Sequence, residues 1–351
     1  MCLIVPDQHV AQFQNCLVQL RLELPEEHHH QQVQSTVDPV QLPGPHQSHL
    51  GRKPQTSAQS TGNDILFTTS DGITKIPHEI ESYSSGALTA WVNVPSVSST
   101  DNTTLYMYYG NASSTSQQNV NGVWDSNFKA VWHLNNIFTD STSNAINGIN
   151  VGSTDIAGII AQGRSFDGSS KYIDMQKSTA LQPSQLTFSF WYNRGSTSLS
   201  SSTGRIFWAK STSSWDAASG WMVDVNDVAS PSQPINLVVD GSGGFAVSGI
   251  SANTFYPENT WTYLVITFDS TSNAGKAYKN AISQTFSSFG SPDAISTSAT
   301  NKTLATGGGS YMPGSFDEVR ISSNVRSADW ILTGYNNQNS PPTFYTVGSR
   351  Q

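Results

Sequence analysis

From Asn63 onward the chain is written in short runs of alternating apolar and polar residues, separated by Gly, Asn and Ser. This rhythm limits the fold more than any other feature. Runs of this length and period, rich in Val, Ile, Thr and aromatic residues, read as half-buried strands joined by turns. Expected strands fall at 64–69, 79–83, 88–94 and 103–109, and then at 130–134, 163–166, 172–175, 186–192, 205–210, 221–225, 235–239, 261–269, 276–279, 316–322 and 344–347. One helix is expected here, over 327–336. Ser327 can cap it, Asp329 sits in its first turn, and Trp330, Ile331 and Tyr335 supply an apolar face. So many strands with so little helix predict an all-β chain built as a two-sheet sandwich.

Residues 1–62 are written differently. They hold both cysteines, Cys2 and Cys16, and His9, His28, His29, His30, His46 and His49 out of a total of 8 histidines. Phe13, Leu17, Leu20 and Leu24 recur at helical spacing, which predicts a short helix over 10–24. The Gln-, Pro- and Ser-rich stretch after it reads as disordered. The adjacent His28–His30 lack the spaced further ligands of a metal motif. The segment also reads as a start that is not native coding sequence. The domain boundaries expected are therefore 1–62, a disordered or non-native segment; 63–122, a small β-domain ending in a Ser/Gln/Asn linker; and 123–351, the sandwich.

Composition excludes several functions. Charged residues are 12% of the chain, while hydrophobic residues at 36% and aromatics at 10% suffice for a core. A net charge of −8 argues against nucleic acid, which needs clustered Lys and Arg. With both cysteines in the first 16 residues, the body carries no disulfide framework, thiolate nucleophile or zinc–thiolate site. No run approaches the ~18 apolar residues of a membrane span. The polar, Ser/Thr/Asn-rich profile fits a secreted or cell-surface protein, although the N-terminus has no signal-peptide pattern.

Two families are resembled. The stretch NDILFTTSDGITKIPHEIESYSSGALTAWVNVPSVSSTDNTTLYMYYGNAS resembles DUF2341, small β-domains of large bacterial and archaeal surface proteins. The runs VWDSNFKAVWHLN, DSTSNAINGIN, GRSFDGSSKYIDM, LTFSFWYNR and GSFDEVRISSNVRSADWILTGYNNQNSP resemble, in that order, the LamG-like (concanavalin A-like) jelly roll that commonly follows it. The resemblance covers roughly 63–351 and implies a jelly-roll sandwich preceded by a small β-domain. DUF2341 domains begin with a further strand-rich segment ahead of the DILFT-like strand. Residues 1–62 do not resemble it, which leaves open a truncated first domain with an unpaired edge. Members of the wider fold include lectins, carbohydrate-binding modules and glycosidases, so fold alone does not settle function.

Several sites follow as expectations. By resemblance, Asp140, Asp167, Asp317 and Glu318 are candidate ligands for a structural calcium ion (Ca2+), a hard cation that takes oxygen ligands; the plainer reading makes them turn and bulge residues. Trp208, Trp215, Trp221 and Tyr256 lie near loop-rich segments and are candidate sugar platforms, whereas Trp132, Trp191 and Trp261 sit inside strands and read as core. Glu79 and Glu81, with His78 beside them, have the alternate spacing of a retaining-glycosidase carboxylate pair. The body lacks an E-x-D-x-E run, and Asp224, Asp227 and Asp240 are scattered. No G-x-S-x-G elbow is present, and His133 in AVWHLN reads as a core residue. Asn102, Asn111 and Asn301 begin N-x-S/T sequons of the kind a Ser/Thr-rich chain produces by chance. The function expected is a non-catalytic extracellular module that binds a glycan or cell-surface polymer, as part of a larger exported protein. The alternatives are a calcium-dependent hydrolase of glycosidic or ester/lactone bonds, and an architectural spacer. The ligand's identity and the oligomeric state stay open.

Overall fold

The computed structural model describes residues 13–23, 31–34, 58–84, 87–97, 102–197, 204–210, 220–225, 234–240, 243–297 and 300–350. Trp215, Asp227 and His28–His30 lie outside them. The chain divides into two compact units, residues 1–125 with 336–351, and residues 126–335.

The first unit is built from two sheets. One orders Phe13–Glu23, Ala87–Val97 and His78–Ser84; the other orders Thr346–Arg350, Gln31–Gln34, Leu105–Tyr108, Leu66–Thr68 and Lys75–Ile76. Strand alternation supplies the core. Leu88, Ala90, Val92 and Val94 come from one sheet, Phe67, Leu105 and Met107 from the other, and Phe344 and Tyr345 join them.

Three expectations are corrected here. The stretch 10–24 is not a helix: Phe13–Glu23 pairs antiparallel with Ala87–Val97 from Phe13↔Val97 to Glu23↔Ala87. Its sequence also reads at period two, Cys16, Val18, Leu20 and Leu22 alternating with Leu17, Gln19, Arg21 and Glu23, and the long partner strand decides between the two periods. The segment 1–62 is therefore not disordered throughout, since it supplies two strands. The C-terminal residues leave the sandwich and close the first unit, where Thr346–Arg350 pairs with Gln31–Gln34.

The second unit is the sandwich. Its first sheet orders Thr154–Ala157, Gln162–Asp167, Pro313–Ser322, Gln185–Asn193, Thr262–Asp269, Ala274–Lys279 and Ile282–Gln284, with Phe128–Trp132 also pairing Pro313–Ser322. Its second sheet orders Phe286–Phe289, Gly243–Val247, Asn236–Val239, Gly220–Val225, Gly204–Lys210, Thr303–Leu304, Tyr172–Asp174 and Ile149–Val151. The inner faces interdigitate around Trp132, Phe188, Phe190, Phe207, Trp221, Phe268 and Phe316, which fixes the jelly-roll class. The helix Ala328–Asn339 begins as expected, with Ser327 Oγ accepting from Trp330 N at 3.2 Å. Strands missed by the sequence pattern include Thr154–Ala157, exposed along its whole length, and Gly243–Val247, whose glycines weaken the signal.

A bulge interrupts the strand Pro313–Ser322. Trp191 pairs with Asp317 and Ser189 with Arg320, so Glu318 and Val319 stand opposite the single Phe190. Glu318 takes φ +51°, the left-handed conformation usually left to glycine in such bulges. The extra residue keeps Val319 and Ile321 on the core side, where both are packed.

Candidate functional site

The four carboxylates expected to hold calcium have different partners, and most of those partners are hydrogen-bond donors from loops. Asp140 is buried; its Oδ1 accepts from Val131 N at 3.0 Å and Thr142 N at 2.9 Å, and its Oδ2 from Thr142 Oγ1 and Ile146 N, both at 2.9 Å. Burial pushes its pKa up, against the pull of those donors. Asp167 closes its own turn: Oδ1 accepts from the backbone of Ser169, Ser170 and Lys171, and Oδ2 from Ser170 Oγ at 2.8 Å. The backbone N–H groups of Ser170 and Ser169 foremost hold this carboxyl well below its usual range. Asp317 Oδ2 accepts from Ile159 N at 2.8 Å and Ile160 N at 3.0 Å, tying down a distant loop. Glu318 lies between His133, whose Nδ1 is 2.7 Å from Oε1, and the Arg320 guanidinium. Burial alone would raise the Glu318 pKa, but the charges of His133 and Arg320 bring it below the ordinary value.

Calcium needs six to eight oxygens aimed at one point, and these carboxylates are aimed at donors in separate places. The set does not fit the ion. Thermal unfolding of the full chain in calcium and in excess EDTA is expected to give the same midpoint; a midpoint that rises with calcium would overturn this.

The Glu79/Glu81 pair also has a structural explanation within the first unit. Glu79 Oε2 accepts from Trp124 Nε1 and Glu81 Oε2 from Trp91 Nε1, each at 2.8 Å, with the two indoles 5.6 Å apart. The register shifts between Ile80 and Ser82, so an irregularity falls on Glu81 and breaks the strict alternation that a catalytic pair on one strand requires. His78 is fully buried against the Phe67 ring at 5.2 Å.

Two of the expected sugar platforms are core residues. Trp221 stacks on Phe207 at 4.8 Å and donates from Nε1 to Leu181 O at 2.8 Å. Tyr256 is buried edge-on to Tyr192 at 5.2 Å, and its hydroxyl donates to Pro234 O at 3.3 Å. Neither ring offers a face to a ligand. Of the tryptophans expected in the core, Trp132 and Trp191 are buried and Trp261 is half-buried.

Trp208 is different, because it lies on the outer face of the second sheet. The register sorts that sheet by side: Phe207, Trp221, Val223, Leu237 and Val239 pack inward. Trp208 pairs with Met222 and Met222 with Val238, and these form a small separate apolar cluster with Phe289 against it. Gly307 covers the indole, since a Cβ there would come within 2.5 Å of Trp208 Cδ2 and Cε3.

Beside this cluster runs a polar row, Arg205 opposite Asp224 opposite Asn236. Arg205 Nη1 donates to Asp224 Oδ2 at 2.8 Å, and Asn236 Nδ2 donates to Asp224 Oδ1 at 2.9 Å. A carboxylate only accepts, so these bonds fix the Asn236 amide with Oδ1 turned away. Arg205 Nε and Asn236 Oδ1 are buried and reach no hydrogen-bond partner among the described residues. The Arg205 guanidinium lies 6.0 Å from the centre of the Trp208 ring. On the strand Tyr172–Asp174 of this sheet, the half-buried Tyr172 ring lies 6.4 Å from that of Tyr311, which belongs to the two-stranded sheet of Thr306–Gly307 and Ser310–Tyr311, and Asn301 Nδ2 donates to Asp174 Oδ2 at 2.8 Å. On Gly220–Val225 the outward positions hold Met222 and Asp224, so this strand supplies one carboxylate and not a pair.

The outer row was legible in part. Trp221, Val223 and Val225 alternate with Met222 and Asp224, and Asp224 marks which side faces outward. Arg205 and Asn236 carry no such local signal, because only the strand pairing brings them to Asp224.

Family models bear on both units. Residues 61–149 match the domain of unknown function DUF2341, and residues 167–332 match the Laminin_G_3 model of the concanavalin A-like lectin/glucanases superfamily. No curated protein matches the chain in sequence. Among solved structures, the binding domain of Paraclostridial Mosquitocidal Protein 1 is 14% identical with a TM-score of 0.45, over 60% of this chain and 52% of that one. Domain 4 of AbnA, an extracellular GH43 arabinanase from Geobacillus stearothermophilus in complex with arabinotriose, is 19% identical with a TM-score of 0.41, over 58% of this chain and 96% of that one. The receptor-binding domain of botulinum neurotoxin type G is 14% identical with a TM-score of 0.46, over 61% and 52%. The chain thus spans about half the length of the first of these. No helix among the described residues is long and apolar enough to cross a membrane. By its family matches, the chain carries a DUF2341 domain followed by a domain of the concanavalin A-like lectin/glucanase superfamily.

Proposed function

We propose that the second unit is a non-catalytic carbohydrate-binding module of an exported protein, with its ligand face on the outer side of the sheet that carries Trp208, Arg205, Asp224 and Asn236. One observation carries this reading. Arg205 Nε and Asn236 Oδ1 are a buried donor and a buried acceptor without partners among the described residues, on the two strands that flank Asp224. Burying a polar group unsatisfied costs about 1–3 kcal/mol, so a protein that keeps such atoms on one face gains most when a ligand completes them. Sugar hydroxyls suit this, because each both donates and accepts. The Tyr172/Tyr311 pair, two strands away from Arg205 in the sheet order, offers half-buried aromatic surface of the kind that packs on apolar sugar faces. The exported setting rests on the low charge and the Ser/Thr/Asn-rich surface pattern of the sequence.

The test is a glycan array probed with the full chain, followed by Asn236→Ala and Arg205→Gln. Binding of at least one glycan, weakened roughly 10-fold or more in either variant at a temperature where that variant is folded, is the expected result. A blank array, or hits that both variants retain at full strength, would remove this face as the site.

A further inference from the structure

Resting on the reading of this face as a glycan site, we infer that it selects neutral, hydroxyl-bearing sugar units over acidic ones, and that Asp224 sets the preference. The Arg205 cation is present but not offered as net charge. Its Nη1 lies 2.8 Å from Asp224 Oδ2, with only 12% and 10% of the two side chains exposed. Charges this close and this shielded from water cancel each other locally, and a uronate carboxylate approaching the row meets Asp224 as well as Arg205.

The remaining hydrogen-bonding capacity points the same way. The row leaves one donor, Arg205 Nε, and one acceptor, Asn236 Oδ1, on either side of Asp224. A carboxylate can serve the donor but has no proton for the acceptor. Two hydroxyls satisfy both, one by accepting and one by donating. Arg205 and Asp224 keep a slight exposure to solvent, 12% and 10% of their side chains. The chain's net charge of −8 adds a long-range repulsion of polyanionic glycans.

The experiment is calorimetric titration of the full chain with neutral hexose and pentose oligosaccharides and, in parallel, with oligogalacturonate and oligoalginate. At least one neutral oligomer is expected to bind, with acidic oligomers roughly 10-fold weaker or more. Neutral binding is expected to hardly change with salt, whereas binding through net charge falls as salt rises. Asp224→Asn leaves the Arg205 charge uncompensated, so its preference is expected to move toward oligogalacturonate by roughly 10-fold. Wild-type protein that prefers the acidic oligomers, or whose binding collapses in salt, overturns the inference but leaves the glycan site standing; so does a folded Asp224→Asn protein with unchanged preference. Failure to bind either class removes the underlying glycan reading as well. The wild-type panel and its salt series decide the matter even where Asp224→Asn does not fold.

Discussion

Glu318→Ala is expected to destabilise the second unit by about 3–5 kcal/mol, because it removes a buried carboxylate that pairs with both the buried Arg320 guanidinium and His133. Glu318 is fully buried, with one oxygen 2.7 Å from His133 Nδ1 and the other on Arg320, which is itself buried. For a unit of this size, differential scanning calorimetry should show the melting midpoint lowered by roughly 10 °C. The bulge gives a second arm to the experiment. At φ +51° any residue with a Cβ carries backbone strain, so Glu318→Gly should recover about 1 kcal/mol relative to Glu318→Ala while still falling short of the wild type. Melting curves for Glu318→Ala that overlay the wild type would refute the ion-pair account.

Acid is expected to weaken the first unit through His78. Neither ring nitrogen has a hydrogen bond of good geometry among the described residues. Burial, and then the nearby Lys75 charge, pull its pKa from the usual 6.5 down to about 4, against the smaller opposing effect of the Ile65 backbone. The unfolded chain therefore takes up the proton first as pH falls. Stability is intact above about pH 6.5, is lost progressively down to about pH 4, and then levels off, with a total loss of about 3 kcal/mol. Denaturant unfolding of the full chain across this range should show the loss, and His78→Leu should flatten it. An identical acid loss in His78→Leu would assign the effect to other groups.

How far these features could be read beforehand differs from residue to residue. The two family segments, the sandwich class and the capped helix at Ser327 were legible, because each rests on local pattern. The role of Asp317 was not. The sequence displays its carboxylate, but the donors that fill it are Ile159 N and Ile160 N, more than 150 positions away in the chain. Asp140 and Asp167 are filled by nearby backbone, and only the traced loops show the N–H groups turned inward. The carboxylates were recognised as important, and the identity of what they bind was missed. Trp221 was misplaced for a different reason. Proximity to a loop was given more weight than the strand's own alternation, which assigns it to the core with Val223 and Val225. The strand Phe13–Glu23 fits both the helical and the strand period, and only its partner Ala87–Val97 resolves the choice.

The path of the chain through the first unit sets an order of events during synthesis. That unit is begun by residues 1–125 and finished by 336–351, with the whole of the second unit inserted between them. A ribosome adding about 5–20 residues per second completes synthesis of the second unit before Thr346–Arg350 exists to pair with Gln31–Gln34. Phe344 and Tyr345, which pack in the first unit's core, arrive equally late. The domain that comes first in the sequence is therefore the last to close, and until then a nascent chain carries its half-built core as exposed apolar surface.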